Sequence, residues 1–274
     1  MKLHILMDNY VTYRKLLAEH GLSFFIEANN KKIVFDTGQS NAFINNAKAL
    51  GLNLSEVENI ILSHGHYDHS GGLEDLTKLN KKARIYMHPC VLKKKFSLNK
   101  GILKDAGIPF EFKDIGLSEE RIKFNTGPLN IYDNILISGE IEKNNDFETI
   151  PKNLIIKENG ELKQDNMIDE QFLIVREKRG IIIVLGCSHP GVVNCIEYAS
   201  TLIPEKKILA VIGGMHLKNA SEERINKTIE YFKSKDIEKI IPLHCTGFEA
   251  ISKFKRVFKD KCIIGSVGKL LEII

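Results

Sequence analysis

The sequence predicts an α/β fold, because apolar segments of strand length alternate with segments of helical spacing along the whole chain. Composition agrees with this prediction, since 43% of the 274 residues are hydrophobic and 27% are charged, values that suit a globular chain with a sizeable core. The longest apolar run, residues 181–185, has the length of a strand, whereas a membrane span needs about 18 such residues. We therefore expect no membrane-spanning segment.

In the first half of the chain, turn and capping residues separate the predicted elements. Asn29 and Asn30 lie between two apolar runs and predict a hairpin turn. Gly21 and Gly51 follow segments of helical spacing, as C-capping glycines do. The predicted strands are residues 3–7, 23–27, 32–36, 59–63 and 84–87, and the predicted helices are residues 10–20, 41–50, 54–58 and 73–79.

In the second half, the pattern is weaker between residues 90 and 130, which we interpret as an insertion that covers one edge of the domain. Residues 146–169 are polar and predict a loop, and residues 171–177 and 180–186 predict a hairpin. The remaining predicted strands are residues 131–138, 207–212, 239–243 and 262–264, and the remaining predicted helices are residues 191–202, 221–235 and 248–258.

Charge and cysteine usage narrow the class of protein. Lys and Arg number 39 against 35 Asp and Glu, a net charge of +4, which is too small to indicate a nucleic-acid partner. The five cysteines are scattered, form no CxxC pair and follow no recognisable signal peptide. We therefore expect free thiols in the cytoplasm rather than disulfides or a zinc finger.

The most specific chemical signal is the segment from His64 to His69, which reads HGHYDH and follows an apolar strand. Imidazole and carboxylate groups are ligands for zinc, manganese and iron. Alternation along an extended loop places His64 and His66 on one side, while Asp68 and His69 are free to face a second centre. The spacing therefore predicts a site for two adjacent metal ions.

Three further histidines lie just past predicted buried strands. His189, His216 and His244 occupy positions at which α/β sheets present their functional sites. His189 and His244 would complete the ligands of a two-metal site, and His216 is a candidate for contacting the substrate. The remaining histidines have no comparable context and are interpreted as structural or surface residues: His4, His20 and His88.

Together these motifs resemble the metallo-β-lactamase superfamily over nearly the whole chain. The resemblance is carried by residues 33–38 (IVFDTG), by the HxHxDH segment with the SGGL that follows it, and by the strand-end histidines. Other segments are similar to one subfamily, the dihydropterin-ribofuranosylaminobenzene-phosphate synthase-like proteins and metal-dependent hydrolases: DNY at 8–10, EHGLS at 19–23, GCSHPG at 186–191, GGMHL at 213–217 and HCTG at 244–247.

The resemblance implies a four-layer αβ/βα sandwich with two divalent metal ions, zinc or alternatively manganese or iron, at the edge of the sheets. It implies two ligand sets, His64, His66 and His189 for the first ion, and Asp68, His69 and His244 for the second. Because these ligands are spread over most of the sequence, residues 1–274 are expected to form a single domain.

The chain departs from the superfamily pattern at Cys187, which lies where an aspartate usually bridges the two ions. Cys187, Asp169 or a water molecule could serve as the bridge. A thiolate would favour zinc, whereas a buried, inert thiol is the alternative interpretation of Cys187. Asp36 is expected to orient a ligand rather than to bind metal.

The expected activity is hydrolysis of a small, anionic, phosphorylated or ester-like substrate by a metal-bound hydroxide. Asp68 would be a ligand that also exchanges a proton, and His216 would contact the substrate or a developing oxyanion. The resemblance leaves open a metal-assisted condensation of a dihydropterin pyrophosphate with a ribofuranosyl-aminobenzene phosphate. A non-enzymatic metal-binding sensor and an iron-dependent redox protein are further alternatives, and a homodimer is the default assembly.

Overall fold

The computed structural model describes residues 1–204 and 207–273. Within these residues, the strands in chain order are Lys2–Met7 (β1), Ser23–Ala28 (β2), Lys31–Phe35 (β3), Asn59–Ile61 (β4), Arg84–Met87 (β5), Lys95–Asn99 (β6), Ile102–Asp105 (β7), Ile122–Phe124 (β8), Leu129–Tyr132 (β9), Ile135–Ile137 (β10), Leu154–Glu158 (β11), Glu161–Gln164 (β12), Leu173–Glu177 (β13), Gly180–Val184 (β14), Ile208–Gly214 (β15), Lys239–Leu243 (β16) and Leu270–Glu272 (β17). The α-helices are Ala42–Ala49 (α1), Tyr67–Ser70 (α2), Leu73–Leu79 (α3), Val192–Leu202 (α4), Glu222–Ser234 (α5) and Phe248–Phe258 (α6). Short 3-10 helices span Leu54–Glu56, Pro89–Leu92, Glu119–Arg121, His244–Thr246 and Lys259–Lys261.

Two large sheets and one small sheet organise these strands. The first sheet has the strand order β17-β1-β2-β3-β4-β5-β8, and the second has the order β16-β15-β14-β13-β10-β9. Neighbouring strands from β3 to β8 in the first sheet are parallel, and so are β14, β15 and β16 in the second. Each large sheet therefore has a parallel part whose strands end at one edge, which is where α/β proteins place their sites.

The helices and large sheets form four layers. Phe24 and Phe35 of the first sheet belong to the same buried cluster as Ile182 and Ile241 of the second, so the sheets pack face to face. Side chains of α4, α5 and α6 bury the outer face of the second sheet, and those of α1 and α3 bury the outer face of the first. The α/β class and the sandwich expected from the sequence are confirmed.

The third sheet, with the order β12-β11-β6-β7, joins two separate segments of the chain. Strands β6 and β7 lie within the weakly patterned residues 90–130, while β8 from the same segment extends the first sheet. Strands β11 and β12 form a hairpin within residues 146–169, which the polar composition wrongly predicted as a loop. The turn of this hairpin contains Asn159 and Gly160, both with positive φ, a known hairpin signal.

The helix predicted at residues 10–20 is wrong, because tertiary contacts occupy its polar groups. The side chain of Asn46 in α1 accepts a hydrogen bond from Leu17 N and donates one to Leu17 O. The Glu19 carboxylate accepts hydrogen bonds from Gln39 N and Ser40 N. The backbone N–H and C=O of Leu17 are thus bound to Asn46 and cannot join a helical ladder, and Glu19 is held by its side chain. The segment is therefore an irregular loop.

Two other predicted strands differ from the structure. Residues 131–138 contribute to two antiparallel strands, β9 and β10, instead of one. Residues 262–264 form only a single bridge, between Cys262 and Ile240, and the last strand is β17, which pairs with β1. Across the described part of the chain, no helix combines the length and the apolar character that crossing a membrane requires.

Candidate metal centre

The predicted site residues lie at the carboxyl ends of parallel strands in the two large sheets. The segment from His64 to His69 follows β4 and contains α2. His189 follows β14, His216 follows β15 and His244 follows β16. Because the two sheets pack face to face, their strand ends share one edge of the sandwich, and residues that are distant in sequence become neighbours there.

The backbone takes up an unusual conformation just after four strands of this edge, β3, β14, β15 and β16. The left-handed conformation is adopted by four non-glycine residues there: Asp36 (φ 58°), Ser188 (φ 59°), His216 (φ 47°) and His244 (φ 49°). Each costs on the order of 1–2 kcal/mol, and such strain clusters at functional sites. Gly186 permits a close approach between the sheets, since a Cβ atom there would lie 2.3 Å from Ser63 Oγ.

The first donor group consists of His64, His66 and His189, which offer ligand atoms within 4.8 Å of one another. The His64 Nε2 and His66 Nδ1 atoms are 3.0 Å apart. His66 Nε2 and both ring nitrogens of His189 are buried without a hydrogen-bond partner among the described residues. Leaving such groups unsatisfied costs about 1–3 kcal/mol each, so these nitrogens fit a bound ligand.

Burial also sets the protonation state of the first donor group. It lowers the pKa of His66 to about 3 and lowers the pKa values of His64 and His189 well below the ordinary range. The rings are therefore neutral at physiological pH, with a free lone pair on one nitrogen. Neutral imidazole is the form that coordinates zinc and similar ions.

The second donor group consists of Asp68, His69 and His244. The His244 Nε2 atom lies 3.3 Å from His69 Nε2 and 3.2 Å from Asp68 Oδ2. His20, which the sequence analysis interpreted as a structural or surface residue, places Nε2 3.2 Å from the same Asp68 oxygen. His20, Asp68 and His244 offer ligand atoms within 4.8 Å of one another, so His20 is a site residue that the sequence interpretation missed.

The imidazoles of the second donor group are oriented by side chains on their opposite nitrogens. His69 Nδ1 lies 2.7 Å from Asp36 Oδ2, and His244 Nδ1 lies 2.8 Å from Asn9 Oδ1. Ser63 fixes Asp36 in turn by donating from its backbone N–H and its hydroxyl. Burial lowers the pKa of His69, but the carboxylates of Asp36 and Asp68 outweigh burial and raise it to about 9.

Cys187 lies between the two donor groups. Its Sγ atom is 3.1 Å from His69 Nε2, and it belongs to one group of close donors with His64 and His69 and to another with His189 and His216. Cys245 is a further thiol within 4.8 Å of Cys187 and His244. Imidazole, carboxylate and thiolate are the donor types that zinc accepts, so the residues fit a pair of divalent ions.

Asp169, the other candidate bridge, is engaged elsewhere. Its Oδ2 atom accepts a hydrogen bond from Gly65 N at 2.9 Å, and its Oδ1 atom pairs with Lys95 Nζ at 2.9 Å. Lys95 is buried and also pairs with Asp165. Asp169 therefore supports the loop that carries His64 and His66 rather than entering the donor groups.

Glu170 holds the other loop of the site. Its buried carboxylate accepts hydrogen bonds from the backbone N–H groups of Cys187, Ser188 and His189. Burial raises the pKa of Glu170 well above its usual range, although these N–H groups oppose the shift. No local motif marks Glu170, because its partners lie on a different strand end.

The donor groups open into a cleft of about 660 Å³. Its lining includes His66, Asp68, His189 and His244 of the donor groups. It also includes His20, Tyr67, His216, Phe147, Thr149, Lys218, Ser221 and Arg224. His216 lies beside His189, with ring centroids 4.2 Å apart, and its buried Nδ1 has no hydrogen-bond partner within the described ranges. A small molecule in this cleft would therefore contact both donor groups.

Comparisons with known proteins agree with this architecture. The family model described as the metallo-beta-lactamase superfamily matches residues 17–124. A Methanocaldococcus jannaschii protein named 7,8-dihydropterin-6-methyl-4-(beta-D-ribofuranosyl)-aminobenzene-5'-phosphate synthase is 35% identical, over 99% of this chain and 96% of its own length. A second, uncharacterized protein of that organism is 34% identical over 98% of this chain and 99% of its own length. A crystal structure described as a metal-dependent hydrolase of the beta-lactamase superfamily is 30% identical, with a TM-score of 0.86 and coverage of 100% of this chain and 99% of the other.

Proposed function

The chain belongs to the metallo-β-lactamase superfamily, and we propose that it is a dinuclear metal-dependent hydrolase of a small, phosphorylated or ester-like substrate. The observation that carries the proposal is the convergence of the two donor groups on one cleft, with Cys187 between them. A single ion would use only part of this set, whereas two ions would use both groups.

In this proposal, His64, His66 and His189 would hold one ion and Asp68, His69 and His244 the other, with the Cys187 thiol within reach of both groups. Zinc suits this mixture of nitrogen, oxygen and sulfur donors best, and manganese or iron are alternatives. Divalent ions bound there would lower the pKa of water and polarise a phosphoryl or carbonyl oxygen of the substrate.

The chain's own residues would position the substrate and move the proton. Burial raises the pKa of Asp68, but His69 and His244 outweigh it and hold the carboxyl ionised. Asp68 thus accepts hydrogen bonds at the cleft, and His20, whose Nε2 lies 3.2 Å from Asp68 Oδ2, is placed to exchange a proton with the substrate. His216, with its unpartnered Nδ1 at the cleft wall, would contact the reacting group of the substrate.

A second candidate is favoured by the relative that aligns over nearly the full length of this chain and is named as a synthase. The same cleft would then condense a dihydropterin pyrophosphate with a ribofuranosyl-aminobenzene phosphate. The donor groups would hold the same ions in both reactions. The positive charge that would stabilise an attacking oxygen in hydrolysis would stabilise the departing pyrophosphate in condensation.

The test is a metal-reconstituted assay of purified protein. Metal content is measured by mass spectrometry after loading with zinc, manganese or iron, and turnover is measured on phosphodiester, lactone and dihydropterin pyrophosphate panels, the last with and without the aminobenzene co-substrate. We expect two bound ions and turnover in one panel. Two ions without turnover would favour a sensor, and protein that binds no metal would overturn the proposal.

A further inference from the structure

One wall of the cleft contains a buried guanidinium whose polar atoms are largely unsatisfied. Arg224 lies near the start of α5, and only 8% of its surface is exposed. Its Nη1 atom donates to Thr149 O at 2.8 Å, whereas Nε and Nη2 have no hydrogen-bond partner among the residues described. A buried charge is costly unless it is paired and hydrogen-bonded, so the pattern fits an anion that is part of the substrate.

A second cation, Lys218, lines the same cleft as Arg224. It lies in the loop that leads into α5, and its backbone N–H donates to Cys245 O, which ties the loop to the donor groups. Ser221 also lines the cleft and caps α5 by accepting a hydrogen bond from Arg224 N. The positive end of the helix dipole therefore adds to the two cations.

The carboxylates nearby do not cancel this charge. Glu148 attracts Arg224 electrostatically, but its oxygens accept hydrogen bonds from Val193 N and Asn194 N. In the first turn of α5, two exposed glutamates each pair with a lysine: Glu222 with Lys253, and Glu223 with Lys227. None of these three glutamates lines the cleft, whereas Lys218 and Arg224 do.

We propose that Arg224 and Lys218 bind a phosphate monoester group of the substrate, at a position on the cleft wall separate from the donor groups. Two cations match the charge of a phosphate monoester, which is close to −2 at neutral pH, better than they match a carboxylate. The planar guanidinium also presents paired donors to phosphate oxygens. The inference deepens the proposed function, because both concern substrate in one cleft.

The Lys-rich segments of the sequence do not supply this site. Lys95 is buried against Asp165 and Asp169, and Lys78 pairs with Glu74 on the surface. The cleft lining contains none of the basic residues between positions 78 and 95. The anion site is instead formed by two cations on either side of a helix start.

The experiment measures the affinity of metal-loaded protein for inorganic phosphate by calorimetry, with acetate as the monoanion. We compare wild type with Arg224→Gln, Lys218→Gln and the control Lys233→Gln, an exposed lysine near the end of α5. Arg224→Gln is expected to weaken phosphate binding by at least about tenfold and Lys218→Gln by about threefold to tenfold. The control should stay within about twofold, and acetate should bind more weakly than phosphate.

Lys218→Gln separates binding from folding, because this side chain is exposed and its loss should leave the melting temperature unchanged. Equal phosphate affinity in all four proteins, or a loss confined to an Arg224→Gln protein that melts earlier, would overturn the inference. Metal content measured on the same samples keeps the two hypotheses apart. If the protein takes up no metal on loading but still binds phosphate in a way that depends on Arg224 and Lys218, the inference is supported and the proposed function is rejected.

Discussion

The two donor groups are held in different ways. In the second group, His69 and His244 each have a side-chain partner on the nitrogen that faces away from the group, Asp36 and Asn9 respectively. In the first group, Ser63 Oγ lies 2.9 Å from His64 Nδ1, but both nitrogens of His189 lack a partner among the described residues. Hydrogen bonds therefore orient both imidazoles of the second group, whereas His189 of the first group is oriented by packing and by its loop. Metal should therefore add more order to the first group than to the second.

Removing a ligand of the first group should have the largest effect. We expect His66→Ala to lose one bound ion and to lower turnover to background, because the remaining imidazoles of that group cannot hold an ion alone. Folding should survive, since His66 Nε2 has no hydrogen-bond partner to lose within the described residues. Metal content, turnover and the melting temperature of the apoprotein are measured together.

The matched control for this variant is His4→Gln. His4 lies on β1, pairs across the strand with Phe25 and is outside both donor groups. It should keep both ions and full turnover. If His66→Ala kept two ions and its activity, the assignment of the first donor group would be wrong.

Asp36→Asn tests the contrast at the second donor group, where Asp36 contacts His69. Asparagine has nearly the same shape and tolerates the left-handed backbone that Asp36 adopts, so the change mainly removes the charge beside His69 Nδ1. Losing such a partner typically lowers metal affinity by about 10–100-fold. Competition with a chelator should show this loss for the ion held by His69 and a smaller loss for the other ion, because Ser63, which donates to Asp36, also lies 2.9 Å from His64 Nδ1. An equal loss at both ions would contradict the separate orientation of the two groups.

Glu170→Gln should act mainly on the first group and less strongly. Glu170 accepts the N–H groups of Cys187 and Ser188 on Oε1 and that of His189 on Oε2, whereas an amide has only one acceptor oxygen, so the loop loses part of its orientation. We expect about a tenfold loss of affinity for the ion held by His189. The Glu148→Gln variant is the control, because Glu148 is also buried and binds backbone N–H groups, but those of α4. A similar loss in both variants would indicate general destabilisation.

The parts of the site that follow from local sequence were predictable. The segment from His64 to His69 and the strand-end histidines can be recognised because a strand and the residue after it are adjacent in the chain. The structure places the predicted ligands close together, and four of them line one cleft: His66, Asp68, His189 and His244. The sandwich followed from the resemblance of these motifs to a family, because alternating elements alone predict only the α/β class.

The supporting residues were harder to predict, because their partners are distant in sequence. His20 follows no strand and so carries no local signal, and it reaches the second donor group because tertiary bonds with Asn46 and Glu19 hold its segment as a loop. Arg224 lies on a helix with ordinary amphipathic spacing, and only the packing of Thr149 against it reveals a buried charge. Sequence periodicity reports which face of an element is buried, but not which polar groups meet there.

The smallest expected effect concerns Asn9, which also orients the second group. Asn9 Oδ1 contacts His244 Nδ1 at 2.8 Å, but Asp8 Oδ1 also holds this residue by accepting a hydrogen bond from His244 N. Asn9→Ala removes the neutral hydrogen bond to His244, worth about 0.5–1.5 kcal/mol, and a longer one that Asn9 Oδ1 accepts from Gly21 N at 3.3 Å, but it leaves the backbone anchor of His244 in place. We therefore expect a loss of about threefold in affinity for one ion by chelator competition. A loss as large as that of Asp36→Asn would mean that the neutral partner of His244 matters as much as the charged partner of His69, and that charge is not what distinguishes the stronger support.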